Sequence, residues 1–251
     1  MLTARFHFLP DLNEFLPREQ RGGSFDYRFE PGQSIKHLAE AAGIPHTEIG
    51  CIEVHGQPVD FSYQVQHDDA VIVSPATAKN NPLPIPPRFV LDNHLGRLAA
   101  YLRMLGFDTL YRNNFNDPEL AEISAAEERA LLTRDRRLLM RKMVRFGYCL
   151  RSLDSQQQLV EVTRRYALAD QILPFQRCLR CNGMLQPVSK AAVRNRLEPL
   201  TKQYYDEFAI CPDCGQVYWK GSHYEHMQEL IAQVKNHQKP SNEPGAAEYG
   251  A

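Results

Sequence analysis

Two short apolar stretches, Arg88-Phe89-Val90-Leu91-Asp92 and Ala130-Leu131-Leu132-Thr133-Arg134-Asp135, each run into an aspartate. Hydrophobic strands that stop at carboxylates, with helices between them, bring acids together at the carboxyl edge of a parallel sheet. A third acid, Asp117, opens the helix expected between the two stretches, with Pro118 as its first helical residue. Carboxylates grouped in this way repel one another unless a divalent cation sits among them. The usual work of such a cation is phosphoryl chemistry.

The pattern around these strands is an alternation of β and α. Leu95, Leu98, Leu102 and Leu105 mark one helical stripe that Gly106 ends, and Phe107–Tyr111 reads as a second strand. A helix over 136–145, a strand over 148–151 and a helix from Asp154 follow the stretch ending at Asp135. Alternation of this kind predicts a parallel sheet and an α/β domain over 88–173.

Upstream lies a different composition. Leu2, Ala4, Phe6 and Phe8 alternate as a half-buried strand does, and Phe25–Phe29 forms another. Ser34 is placed to cap a helix that Gly43 stops, and Cys51–Val54 and Ala70–Val73 supply further strands. Strand, strand, helix, strands within 1–78 resembles the β-grasp fold, in particular its ubiquitin-like ThiS/MoaD-type members. The carriers of that group end on a free Gly-Gly. Here the strand runs on into Ser74-Pro75-Ala76, which argues against carrier chemistry and against a sulfur or cofactor-pathway role. Residues 79–87 hold four prolines and read as a stiff linker.

The net charge of -1 hides an asymmetry. Residues 1–80 carry 6 basic and 11 acidic groups (-5), while 81–251 carry 23 and 19 (+4). A polyanion is therefore expected on the second part, and a protein partner on the first. On this view a chain starting near Arg88 folds alone and keeps its affinity for nucleic acid. There is no run of eighteen apolar residues and no charged-then-apolar leader, so neither a membrane span nor a signal peptide is expected. Residues 237–251 are polar, contain Gly and Pro, and are expected to form a disordered tail.

Six cysteines are present. Cys51 and Cys149 stand alone in apolar surroundings and read as core filler. Cys178-x-x-Cys181 and Cys211-x-x-Cys214 are two turns able to share one tetrahedral ion, with 29 residues between them. Structural Zn2+ is the reading, within a module over 174–236 and a reducing, cytoplasmic setting. A redox dithiol is the competing reading, and it requires a separate task for each pair. Tyr218 and Trp219 can either stack on bases or fill the module's small core. His223 is an outside candidate for nucleic-acid contact.

Arg134, Arg136, Arg137, Arg141, Lys142, Arg145 and Arg151 surround Asp135 with a single acid among seven bases. They form either a solvated face or a phosphate-binding surface. Arg97 and Arg103, six apart on one helix, lie on different faces, so at most one can point to substrate.

The segment from Val90 to Thr109, with Leu91-Asp92, Leu95-Gly96-Arg97-Leu98-Ala99 and Leu102-Arg103-Met104-Leu105-Gly106, resembles the PIN-like ribonuclease family named after the carboxy-terminal domain of the Mut-seven exonucleases. Leu131–Leu139 and Cys211-Pro212-Asp213-Cys214 through His223 extend the likeness over roughly 88–226. Asn93-His94 departs from the more apolar pair expected there. The resemblance implies a PIN-like parallel-sheet nuclease domain with a zinc ribbon, preceded by an α+β ubiquitin-like domain.

It also implies that Asp92, Asp117, Asp135 and Asp154 serve a catalytic Mg2+ or Mn2+ site. Each acid also has a bland explanation, as the cap of the helix that follows it. Glu119 is the substitute for Asp117. The implied activity is hydrolysis of RNA phosphodiester bonds, with Arg97, Arg134, Arg136, Arg137 and Arg141 on the RNA. The alternative is a non-catalytic RNA-binding or adaptor protein in which the acids are only caps.

Overall fold

The computed structural model describes residues 1–236, and the tail expected over 237–251 lies outside the described residues. The amino-terminal region builds a five-stranded sheet from β1 (Leu2–Phe8), β2 (Ser24–Phe29), β3 (Ile49–Val54), β4 (Gln57–Val59) and β5 (Ala70–Pro75). Their order is β2-β1-β5-β3-β4, with β1 and β5 parallel and the remaining pairs antiparallel. Ala4, Phe6 and Phe8 turn inward at alternate positions, as the period of two requires. Helix α1 (Ile35–Ala41) packs Ile35, Leu38 and Ala39 into the same core. Ser34 caps it by accepting from the His37 N–H, and Gly43 leaves it at φ +94°.

A second sheet holds β6 (Arg88–Leu91), β7 (Asp108–Tyr111), β8 (Ala130–Thr133) and β9 (Gly147–Cys149), all parallel, in the order β7-β6-β8-β9. Helices α2 (Gly96–Met104), α3 (Asp117–Ala126), α4 (Arg136–Leu139) and α5 (Ser155–Arg165) alternate with the strands. Phe89, Leu91, Ala130 and Leu132 face one core with Leu98, Leu102, Leu159 and Val162. Val90 and Leu131 face the other with Leu120, Ala121, Leu138 and Leu139. Burial on both faces explains why these strands are apolar throughout rather than alternating.

The helix expected over 136–145 stops at Leu139. The Met140 N–H turns back onto the Arg136 and Arg137 carbonyls, and the chain loops so that Val144 is buried and Gly147 pairs beside Leu131. Leu138, Leu139 and Val144 do not share one helical stripe, so a ten-residue helix would leave part of this set in water.

The cysteine module adds a three-stranded antiparallel sheet, β10 (Gln186–Val188), β11 (Phe208–Ile210) and β12 (Val217–Trp219), in sequence order. Two short helices, α6 (Lys190–Val193) and α7 (Pro199–Tyr204), occupy the long gap between the cysteine pairs. The last helix, α8 (Ser222–Asn236), returns to the α/β layer, where Leu230, Ile231 and Val234 join its core. No helix among the described residues is long and apolar enough to cross a membrane.

Residues 79–87 contain neither helix nor strand, yet they do not hold the two regions apart. One buried cluster runs from Phe6, Leu12, Phe15 and Ile44 into Leu120, Leu138, Leu139 and Val144. Strand β9 is an edge, and the amino-terminal region covers it. Glu48, only 3% exposed, accepts from the Cys149 N–H through Oε1 (2.6 Å) and from Arg151 Nη2 through Oε2 (2.8 Å). His46 Nε2 meets the Val144 carbonyl at 2.8 Å. A shared core is therefore the finding where the sequence predicts separable modules.

Candidate functional site

From β6 the chain passes through α2 to β7 on one side, then through α3 to β8 on the other side of β6. The loops leaving β6 and β8 thus diverge, which is the topological switch point where open α/β sheets place their crevice. Asp92 follows β6 directly and Asp135 follows β8 by two residues, so both stand at this crevice.

Their placement is tied together by a residue that sequence reading passed over. Thr133, fully buried, donates its hydroxyl hydrogen to Asp92 Oδ2 (2.8 Å) and accepts from the Asp135 N–H (2.9 Å). The sequence signal for it is Thr133-x-Asp135 at the end of the apolar run.

The four acids divide by what else they do. Asp92 is not a cap: α2 begins after Leu95, and Asp92 Oδ1 has no partner among the described residues. Asp117 is not a cap either. Asn116 caps α3, exchanging hydrogen bonds with Glu119 at 3.0 and 2.9 Å, so Glu119 is engaged while exposed Asp117 has no side-chain partner among the described residues. Pro118 is accordingly the second helical residue rather than the first. Asp135 does cap α4, accepting from the Arg137 N–H through Oδ1 (2.8 Å). Asp154 caps α5, accepting from Gln156 and Gln157 through Oδ1 (3.0 Å each). Each capping carboxylate keeps its second oxygen clear of the cap.

Around the acids, Tyr111 donates its hydroxyl to the Asn93 carbonyl (2.8 Å) and fixes the turn after Asp92. A Cβ at Gly96 would lie 2.8 Å from that hydroxyl oxygen, so the close approach depends on glycine. Asn93 Oδ1 is enclosed without a hydrogen-bond partner. Arg97, Arg134, Arg137 and Arg141 are exposed and form no ion pair among the described residues. Arg136 and Arg151 are instead directed at the amino-terminal region, stacking on the Phe15 ring.

The second centre is the cysteine quartet. The four sulfurs lie within 4.8 Å of one another, and no comparable carboxylate group occurs among the described residues. Cys178 and Cys214 are 3.5 Å apart and Cys181 and Cys211 3.4 Å, far beyond a disulfide and near the ~3.8 Å separation of sulfurs around a tetrahedral zinc. The two turns are alike: Cys178 N–H donates to the Gly183 carbonyl and Cys211 N–H to that of Gln216, with Asn182 and Gly215 at φ +76° and +75°. Burial opposes ionisation of Cys178, but the Tyr218 hydroxyl at 3.1 Å and the Cys181 and Arg180 N–H groups outweigh it and lower the thiol to about 7. Burial pushes the Cys181 and Cys211 thiols up instead, and the Tyr218 hydroxyl also accepts from the Leu179 N–H at 3.1 Å, which ties this ring to the first cysteine turn. The donor set fits a closed structural zinc.

This module is anchored at the opposite edge of the sheet from Asp92. Arg103, 4% exposed, donates to the Thr109, Leu179 and Arg180 carbonyls at 2.9, 3.0 and 3.0 Å. Asn182 accepts from the Thr109 N–H and donates to Asp108 Oδ1 (2.8 Å), which also receives Arg129 (2.7 Å). Arg103 and Arg97 do lie on different faces, and only Arg97 is exposed. Cys149 is buried, and Cys51 is half-buried in β3.

Comparison with known protein families matches residues 87–231 to the Mut7-C RNAse domain and residues 1–81 to the Mut7-C ubiquitin domain. No curated protein matches the chain, and no solved structure does. The first match runs through the α/β layer and the cysteine module without a break, in keeping with the Arg103 and Asn182 anchor between them. A parallel sheet with acids at its carboxyl edge, a cysteine quartet behind it and a ubiquitin-like region in front make this chain a member of the Mut7-C RNAse domain family.

Proposed function

We propose that the protein is a metal-dependent ribonuclease whose active site is the crevice between β6 and β8. The observation that carries this reading is the Thr133 bridge, which holds Asp92 at the switch point without using it as a helix cap. Asp92, Asp117 and Asp135 are the ligands for Mg2+ or Mn2+, with Asp154 as the fourth acid. The oxygen-only donor set fits such a hard cation, and the unpartnered Asn93 Oδ1 adds one more acceptor at the lip. The ion supplies a Lewis acid and an ionisable water at the scissile phosphate.

The chain itself orients the carboxylates through Thr133 and the turn through Tyr111. It binds the RNA backbone through Arg97, Arg134, Arg137 and Arg141. The switch-point sheet supports a PIN-like fold, and the β2-β1-β5-β3-β4 order with one helix supports a β-grasp. The cysteine quartet holds structural Zn2+. Six unbridged cysteines fit a reducing, cytoplasmic setting, and the ubiquitin-like region is a candidate surface for a protein partner.

The second reading, a non-catalytic RNA-binding adaptor, is favoured by the capping roles of Asp135 and Asp154. Single-stranded RNA incubated with Mn2+ separates the two. The nuclease cleaves, and Asp92→Asn loses cleavage while retaining RNA affinity. An adaptor shows no cleavage with any divalent ion.

A further inference from the structure

Three guanidinium groups, Arg21 from the same loop and Arg136 and Arg151 from far along the chain, converge on Glu14-Phe15-Leu16. Arg136 donates to the Phe15 carbonyl (3.1 Å) and the Glu14 carbonyl (3.2 Å). Arg21 donates to the Leu16 carbonyl (2.9 Å) and to the same Glu14 carbonyl (3.4 Å). Arg136 and Arg151 both lie over the Phe15 ring, each 4.8 Å from its centroid. The charge of Arg151 is answered by Glu48 at 2.8 Å and Glu14 at 3.6 Å. Arg21 and Arg136 have no carboxylate partner among the described residues.

These two exposed cations meet neutral carbonyl oxygens and, for Arg136, the Phe15 ring, and sharing the Glu14 carbonyl holds their terminal nitrogens within about 7 Å of each other. Like charges so close repel, and each guanidinium still has N–H groups to offer. A Cβ at Gly43 would sit 3.3 Å from the Phe15 carbonyl and 3.9 Å from Arg136 Nη1, so a bare glycine keeps this approach open. Arg136 follows Asp135 as the first residue of α4, so its backbone stands beside the carboxylate edge.

We propose that Arg21 and Arg136 form a phosphate-binding clamp across the seam between the ubiquitin-like region and the parallel sheet, holding the RNA backbone next to Asp135. The proposal rests on the ribonuclease reading for the identity of the anion. An RNA phosphate between the two guanidiniums supplies the missing counter-charge and oxygen acceptors in the geometry that arginine favours. The acidic total of residues 1–80 is no obstacle, because phosphate contacts depend on where cations stand rather than on a summed charge. The ubiquitin-like region then contributes directly to substrate binding.

The test is Arg21→Gln in the full chain, with Arg28→Gln at an exposed position of β2 as a control of equal charge change. Binding of a fluorescein-labelled oligouridylate is followed by anisotropy in EDTA over a salt series, and cleavage is assayed separately in Mn2+. Arg21→Gln is expected to bind about five-fold more weakly, with the salt slope reduced by about 1, and Arg28→Gln to match the wild type. Equal affinity of wild type and Arg21→Gln overturns the clamp, as does an equal loss in both variants. A wild type that binds no RNA overturns the clamp together with the RNA reading. Binding without cleavage, with the loss at Arg21→Gln intact, sinks only the nuclease reading and supports the clamp.

Discussion

Thr133 donates its hydroxyl hydrogen to Asp92 Oδ2 across 2.8 Å, from the strand that neighbours the one Asp92 terminates. Hydrogen bonds of this sort orient ligating carboxylates, and their removal typically costs 10–100-fold in metal affinity or activity. Thr133→Val keeps the side-chain shape and removes the donor. Its cleavage rate in Mn2+ is expected to fall about ten-fold or more, at a stability cost of about 1 kcal/mol. Thr133→Ser should restore the rate. Wild-type kinetics in the valine variant would remove Thr133 from the site.

Asp92→Asn and Asp135→Asn are each expected to abolish divalent-dependent cleavage and leave the fold intact. Asparagine caps a helix about as well as aspartate, so α4 survives the second change. Asp135→Ala should additionally lose about 1 kcal/mol with the cap. Circular dichroism melts beside single-turnover assays separate the two effects, and an active asparagine variant at either position contradicts the assignment.

One zinc per chain is expected, held by Cys178, Cys181, Cys211 and Cys214. Elemental analysis should find it in Cys51→Ser and lose it in Cys178→Ser/Cys211→Ser. Tyr218→Phe removes the hydroxyl that meets Cys178 at 3.1 Å, and zinc release to a chelator should quicken about ten-fold. A full equivalent of zinc in the double variant would exclude the quartet.

Glu48 joins the two regions through Cys149 and Arg151. Glu48→Ala leaves the buried Cys149 N–H without its acceptor and takes from Arg151 the nearer of its two carboxylates, and it should cost about 2–3 kcal/mol in urea unfolding. That figure sits at or below the usual penalty because the Arg151 side chain keeps 24% exposure. Deleting residues 1–81 uncovers the apolar face of α3 and α4, so the remainder is expected to bind a hydrophobic dye. A truncated chain with a wild-type melting profile would show that the shared core is dispensable.

Burial works to raise the Asp108 carboxyl, but the hydrogen bonds from Arg129 and Asn182 and the charges of Arg129 and Arg177 hold it below the ordinary carboxylate value. A depressed folded-state value means that the stabilisation is complete above the unfolded value and is lost as pH falls through the folded one. Stability should therefore decline below about pH 4, with the anchor of the cysteine module loosening first. Asp108→Asn is expected to flatten this acid limb in equilibrium unfolding measured at successive pH values. An unchanged limb would assign the acid sensitivity elsewhere.

Much of this chain is legible locally. Apolar runs ending at Asp92 and Asp135, the Ser34 cap, the Gly43 and Gly106 stops and the paired C-x-x-C turns all depend on neighbours a few residues away, and their patterns are written in the sequence. What each polar group does with its hydrogen bonds depends on residues far off in the chain. Only the folded strands show that Thr133 serves Asp92 across 41 residues, or that Arg103 belongs to the Cys178 turn. The same holds for the seam. A proline-rich stretch and a charge difference predict separable modules, but neither carries the shape of a surface, and only packing shows Glu48 closing the β9 edge while Arg21 and Arg136 meet over Glu14. Burial and hydrogen-bond satisfaction are properties of the whole fold, so these relationships were decided in three dimensions.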